Sequence, residues 1–192
     1  MSVKKVIVGI SGASGVIYGV RLLEKLREAD GVETHLVMSQ TAIMNLGLET
    51  EWSPADVAAL ADHAYRHTEI AAAIASGSFR TDGMIVAACS MKTLSSIVHS
   101  YADNLLTRAA DVCLKERRPL VLMPRETPLH LGHCKLLHEA AQLGAIIAPP
   151  MPAMYAMPKT VDDLVDHTVG RVMDLLDIEC DFVNRWRGVA QD

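Results

Sequence analysis

What constrains this chain most is a set of five short runs that are largely apolar at successive positions, not alternate ones. They are Val6-Ile7-Val8, residues 34–38, residues 83–88, Leu120-Val121-Leu122-Met123 and Ala145-Ile146-Ile147-Ala148. A strand that is apolar on both sides needs cover on both sides, which points to a parallel sheet between two helix layers. Helical patterns separate the runs. Val16, Val20, Leu22, Leu23 and Leu26 predict a helix ending near Asp30-Gly31. Helices are also expected over 41–48, 55–64, 104–117 and 131–143, and a last one, capped by Thr160, reaches Leu176. Ser53-Pro54 supplies an N-cap followed by proline at the first helical position. Right-handed crossovers then wind the sheet both ways from its first strand. The expected class is α/β, a three-layer doubly wound parallel sheet. No repeat or linker divides it, so residues 1–192 form one expected domain with a C-terminal tail from about 177.

Composition narrows the setting. A chain of this size can withdraw roughly 70% of its unfolded surface from water, so neither a metal nor a disulfide is needed to hold it together. Hydrophobic residues make up 50%, which excludes a disordered chain, and the net charge of −5 argues against nucleic acid as a partner. Cys89, Cys113, Cys134 and Cys180 show no paired spacing and suit a reducing compartment. The start of the chain lacks a secretory pattern, and no apolar stretch of about 18 residues could cross a membrane. A cytoplasmic protein is expected.

In such a sheet, ligands sit beyond the carboxyl ends of the strands. The residues following each run are therefore informative: Ser11-Gly12-Ala13-Ser14, then Ser39-Gln40-Thr41, then Ser90-Met91-Lys92-Thr93, then Arg125-Glu126-Thr127, then the proline turn to Tyr155. Hydroxyls, helix starts and two cations on one rim suit a phosphorylated ligand. Gly9, Gly12 and Gly15 have the wrong spacing for a dinucleotide fingerprint, and no acid ends the second run, so a mononucleotide fits better than NAD. The Gly-rich turn can equally be a tight turn and nothing more. Arg125-Glu126 can be an ion pair at the sheet rim, and Arg117 and Arg118 a solvated helix end that favours the dipole. His130, Cys134 and His138, or His63 and His67, could share a helix face, but neither set has a fourth ligand at a zinc spacing, so no metal is expected. Cys89 reads as a packing residue.

Several blocks in order carry a resemblance over residues 4–187. They are Gly12-Ala13-Ser14-Gly15, Ser76-Gly77-Ser78, Cys89-Ser90-Met91-Lys92-Thr93-Leu94, Arg108-Ala109-Ala110-Asp111-Val112 and Leu114-Lys115-Glu116-Arg117-Arg118-Pro119. Pro124-Arg125-Glu126-Thr127-Pro128-Leu129, Pro149-Pro150-Met151-Pro152-Ala153-Met154-Tyr155 and Arg185-Trp186 follow. Together they resemble the flavin prenyltransferases, the UbiX-type proteins that accompany reversible decarboxylases. The resemblance implies a flavodoxin-like, Rossmann-like fold in a homododecamer built of trimers. It implies reduced FMN as substrate, dimethylallyl monophosphate as donor, no metal requirement, and a separate decarboxylase as user of the prenylated FMN.

The same resemblance implies site residues. Gly12, Ala13, Ser39, Ser90, Met91, Lys92, Thr93 and Arg125 fall at flavin-binding positions. Lys115, Arg125, Glu126, Tyr155 and Arg171 fall where the family holds the prenyl phosphate. Ser14, Glu49, Lys115 and Glu126 are the implied catalytic set, with Ser14 and Glu49 beside the reacting flavin edge, and Arg108 matches a subunit contact near the site. Met154 and Ala156 depart from the Phe and His that often flank the tyrosine. In this reading Lys115, Arg171 and Tyr155 stabilise the leaving phosphate. Glu49 or the released phosphate takes the flavin C6 proton. Two other functions compete. An FMN-dependent cysteine decarboxylase of the same fold generally has a His near the second helix, where this chain reads Ser39-Gln40-Thr41-Ala42-Ile43-Met44-Asn45. A non-catalytic flavin carrier needs no second phosphate site.

Overall fold

The computed structural model describes residues 3–183 together with 185, 186 and 188. The ends of the expected 1–192 domain and part of its tail, residues 1–2, 184, 187 and 189–192, lie outside the described residues. Six strands form one parallel sheet: β1 (Lys4–Ile10), β2 (Val32–Met38), β3 (His63–Arg66), β4 (Gly83–Cys89), β5 (Leu120–Pro124) and β6 (Ile146–Ile147). The helices are α1 (Ile17–Glu28), α2 (Gln40–Glu49), α3 (Pro54–Ala58), α4 (Met91–Val98), α5 (Leu105–Lys115), α6 (Leu131–Gln142) and α7 (Val161–Asp174).

Every residue of β4 and of β5 is buried, as continuous apolar strands require. Val6, Val8 and Ile10 of β1 pack with Leu22, Leu23 and Leu26 of α1 and Val165, Val169 and Val172 of α7. On the other face, Ile7, Met84 and Val86 pack with Leu94 of α4, Leu105 and Leu106 of α5 and Ala140 of α6. This is the expected three-layer arrangement. None of the described helices is long and apolar enough to cross a membrane.

The strand order is β3-β2-β1-β4-β5-β6. The five expected strands alone would have read as the flavodoxin order. The sixth, β3, extends it to the order of dinucleotide-binding folds. It replaces the end of the helix expected over 55–64. Ser53 and Asp56 do form a reciprocal cap that starts α3, but the helix closes at Ala58. Asp62 then accepts from both the Thr34 N–H (2.7 Å) and hydroxyl (2.9 Å), while the Thr34 hydroxyl oxygen accepts from the Asp62 N–H (3.0 Å). That latch lays the next residues alongside β2 as a strand. A second difference is α4, an additional helix directly after β4. The Ser90 side chain accepts from the Thr93 N–H and starts it.

Two smaller expectations also change. Arg118 is no solvated helix end: its guanidinium donates to the carbonyls of Phe79 (2.8 Å) and Gly77 (2.7 Å), anchoring the loop before β4. His130 is the N-cap of α6, its Nδ1 accepting from the Gly132 N–H, so it does not share a helix face with Cys134 and His138.

Candidate active site

The rim at the carboxyl ends of β1, β4 and β5 is held by short polar contacts between loops. Ser11, fully buried, donates from Oγ to the Ala88 carbonyl (2.9 Å) and accepts from the Ser90 N–H (2.7 Å). It fastens the end of β1 to the end of β4. Sequence reasoning noted Ser11 only as part of the Gly-rich turn. A Cβ on Gly12 would come within 2.6 Å of Thr41, so the turn and α2 approach too closely for any side chain there. Ala13 beside it is buried.

Ser39 and Ser90 both serve as N-caps, accepting from the Ala42 N–H (3.1 Å) and the Thr93 N–H (3.2 Å). Their helices, α2 and α4, therefore begin at this edge, and first-turn N–H groups without intrahelical partners suit an anion. Met91, Lys92 and Thr93 form the first turn of α4, with Lys92 exposed. The start of α1 is different. Glu49, at the end of α2, places Oε2 to accept from the N–H groups of Gly15 (2.7 Å) and Val16 (3.3 Å). The Gly-rich turn thus carries the chain's own carboxylate at its helix start.

Arg125 follows β5 and donates from Nε to the Ser14 carbonyl, 2.9 Å away. Glu126 turns back on its own loop, accepting from the Thr127 N–H (2.9 Å). Arg125 and Glu126 are therefore not paired with each other. Ser14, Glu49 and Arg125 form one connected group on the rim. Cys89 lies beneath it, its thiol pushed up to about 12 by burial. It is no nucleophile at neutral pH.

A second group lies on α7. The Tyr155 hydroxyl is 3.1 Å from His167 Nε2, and Arg171 stands one turn further along the helix. Burial first, and the Arg171 cation second, hold His167 below its ordinary value. With the ring proton on Nδ1, His167 Nε2 accepts the hydrogen bond that the Tyr155 hydroxyl donates. Arg171 pairs with Asp174, whose carboxylate also receives both terminal nitrogens of Arg185 (2.7 and 2.8 Å). Trp186 sets its edge to the Tyr155 ring, with 5.8 Å between centroids. A cavity of about 280 Å³ opens between this turn and α7, lined by Met157, Lys159, Asp163, His167 and Phe182 among others. His167 went unnoticed in the sequence. Its spacing of four before Arg171 on a helix is the signal that was there to use.

No hydrogen bond or ion pair among the described residues joins the α7 group to the rim. Lys115 is separate from both. It ends α5 and pairs with Glu116 against Gly77, five residues before β5 begins. Helix direction therefore puts Lys115 at the amino edge of the sheet, about 16 Å of strand from Arg125 at about 3.3 Å per residue. Arg108, on the same helix, donates to the Ala75 carbonyl and pairs with Asp111.

With this geometry in hand, likeness to known proteins is informative. The flavoprotein family model matches residues 1–173. The flavin prenyltransferase UbiX of Salmonella typhimurium is 60% identical over 187 residues, covering 96% of this chain and 99% of the relative. The chain belongs to the UbiX-type flavin prenyltransferases. A dodecameric FMN-dependent UbiX-like decarboxylase from Escherichia coli O157:H7 superposes with a TM-score of 0.94 at 54% identity, covering 96% of this chain and all of that one. A UbiX protein solved with FMN and dimethylallyl pyrophosphate superposes at 0.96 with 45% identity, covering 98% and 100%.

Proposed function

We propose that this UbiX-type protein transfers the dimethylallyl group of dimethylallyl monophosphate to N5 and C6 of reduced FMN, releases phosphate without a metal, and supplies prenylated FMN to a separate decarboxylase. The observation that carries this reading is the separation of two anion-suited groups. The rim offers the α2 and α4 starts, Lys92 and Arg125, while Arg171 of α7 and Tyr155 of the preceding turn form the second. One phosphorylated ligand needs one such group, whereas a flavin mononucleotide and a prenyl phosphate need two. A flavin carrier would leave the second without use. A relative solved with both FMN and dimethylallyl pyrophosphate supports pairing a flavin with a prenyl phosphate.

The rim residues suit FMN. Gly12 and Ala13 leave room for close approach, Ser39 and Ser90 aim helix starts at the ligand phosphate, and Arg125 fixes the turn through Ser14. When bound, reduced FMN supplies the electron-rich ring that receives the prenyl group. Tyr155 and Arg171 hold the donor phosphate and oppose its charge as the C–O bond breaks. Glu49 handles the ring-closing proton: as C6 bonds one carbon of the prenyl double bond, the neighbouring carbon gains a proton and Glu49 takes the one that C6 loses. It sits where backbone N–H groups fix one of its oxygens and leave the other for proton transfer.

Lys115 and Glu126 complete the phosphate site in this reading, and Lys115 does so from a second copy of the chain. Its place at the amino edge gives it no short route to its own rim, and the related dodecamer supplies a precedent for closed assembly. Four unpaired cysteines agree with a cytoplasmic setting. The deciding experiment incubates the protein with FMN, reductant and either dimethylallyl monophosphate or the diphosphate, then weighs the flavin. A flavin heavier by one prenyl group supports the reading. Unmodified flavin together with CO₂ release from an aromatic acid or a cysteine-ending peptide would overturn it.

A further inference from the structure

The flank of the sheet formed by β1, β2 and β3 carries a row of polar side chains far from the rim. Residues two apart on a strand share a face, so Glu33 and His35 of β2 stand together. Register sets Lys5 opposite Glu33 and His63 opposite His35. Glu33 Oε1 lies 3.1 Å from His35 Nε2 and 3.3 Å from His63 Nε2. The ligand atoms of all three residues fall within 4.8 Å of one another. The two imidazoles stack at 4.8 Å with 18° between their planes.

We propose that Glu33, His35 and His63 form a binding site for a divalent first-row transition ion, Zn²⁺ above all. Two imidazoles and one carboxylate are a borderline donor set that suits zinc and disfavours calcium or magnesium, which take oxygen ligands. All three ligands stand on paired strands, so little has to move to gather them. His63 is 50% exposed on the edge strand, which gives the ion an entry path and leaves a coordination position for water.

Support for the ligand set comes from behind it. His35 is 1% exposed, and its Nδ1 lies 3.0 Å from the Tyr65 hydroxyl. Without the ion, Nε2–H donates to Glu33 and Nδ1 accepts from Tyr65. With the ion bound, the single imidazole proton resides on Nδ1 and is donated to the Tyr65 oxygen, while the Nε2 lone pair binds the metal. The ring stays neutral throughout. Lys5 opposes the ion, since its ammonium lies 3.2 Å from the same Glu33 oxygen. It also rests over the Phe79 ring, 4.8 Å away, and this second resting place lets it yield the carboxylate. The bound ion would tie the four-residue strand β3 to β2. His35 precedes Ser39 by about 13 Å of strand at about 3.3 Å per residue, so occupancy is separate from prenyl transfer.

The test titrates chelator-stripped, full-length protein with ZnCl₂ by calorimetry. One equivalent per chain is expected. His63→Ala should weaken binding by at least about tenfold, the scale on which even a supporting residue acts. Tyr65→Phe should weaken it less, and Lys5→Met should tighten it. Melting in chelator checks that each variant folds, and His130→Ala is the control for the His130–His133 pair at the start of α6. The proposal is overturned if zinc does not bind, if His63→Ala binds as the parent does, or if His130→Ala alone removes the site.

Discussion

The rim and the α7 group both present hydroxyls and cations, yet they are built in opposite ways. On the rim the contacts run from side chain to backbone: Glu49 to two N–H groups, Arg125 to the Ser14 carbonyl, Ser11 to the ends of two strands. Such contacts exist only when the strands are in place, and then they are rigid. In the α7 group the contacts run from side chain to side chain, half-exposed Tyr155 to buried His167 and half-exposed Arg171 to the more buried Asp174. The cation proposed to complete that group, Lys115, stands at the other edge of the sheet. In the proposed reading, one phosphate site comes with the monomer's fold, whereas the other awaits a second copy.

The sharpest way to break this comparison is Glu49→Gln. The amide oxygen can still accept from Gly15 and Val16, so the rim should survive and FMN affinity should hold. Prenyl transfer should fall by about a hundredfold or more, the low end of what a general base contributes. Wild-type formation of modified flavin would leave Glu49 as a helix-start residue only.

Complementation comes next. Lys115→Ala and Tyr155→Phe should each be poorly active alone, and dissociating and reassembling the two together should recover part of the lost rate. Sites that draw both residues from one chain would show no recovery.

A smaller effect is expected from Arg171→Ala. Losing a hydrogen bond to a charged phosphate should raise the donor KM by about tenfold or more while leaving FMN affinity alone. An equal loss of both affinities would mark Arg171 as a structural partner of Asp174.

The smallest effect sharpens the α7 group itself. His167 should titrate below the ordinary 6.5, and Arg171→Ala should move it upward, because removing a neighbouring cation favours the protonated ring. A depressed folded value means the folded state binds fewer protons. The stability His167 contributes is therefore present above 6.5 and lost as pH falls through its folded value. Histidine NMR across this range, on both proteins, checks the direction.

Where signals were local, the sequence was legible. Ser53 and Thr160 cap the helices that follow them, as expected, each in a reciprocal cap with the acid three residues on. Strands β1, β4 and β5 were visible because burial on both faces demands unbroken apolar residues. β3 was not, since His63-Ala64-Tyr65-Arg66 lies at an edge, mostly exposed, and needs no such run. The expected helix face shared by His63 and His67 disappeared with it.

The sequence by itself determined the layers, the winding and the residue types at each strand end, because burial and capping act over a few neighbouring positions. Tertiary structure alone decided which of those residues meet. Glu49 fills the start of α1 only because α2 returns its end to that turn. His35 faces His63 only through the register that Thr34 and Asp62 set. Lys115 stands at the far edge because α5 runs antiparallel to the strands it covers. Register and direction are settled when the whole sheet closes, and no local run of residues encodes its partner across that distance.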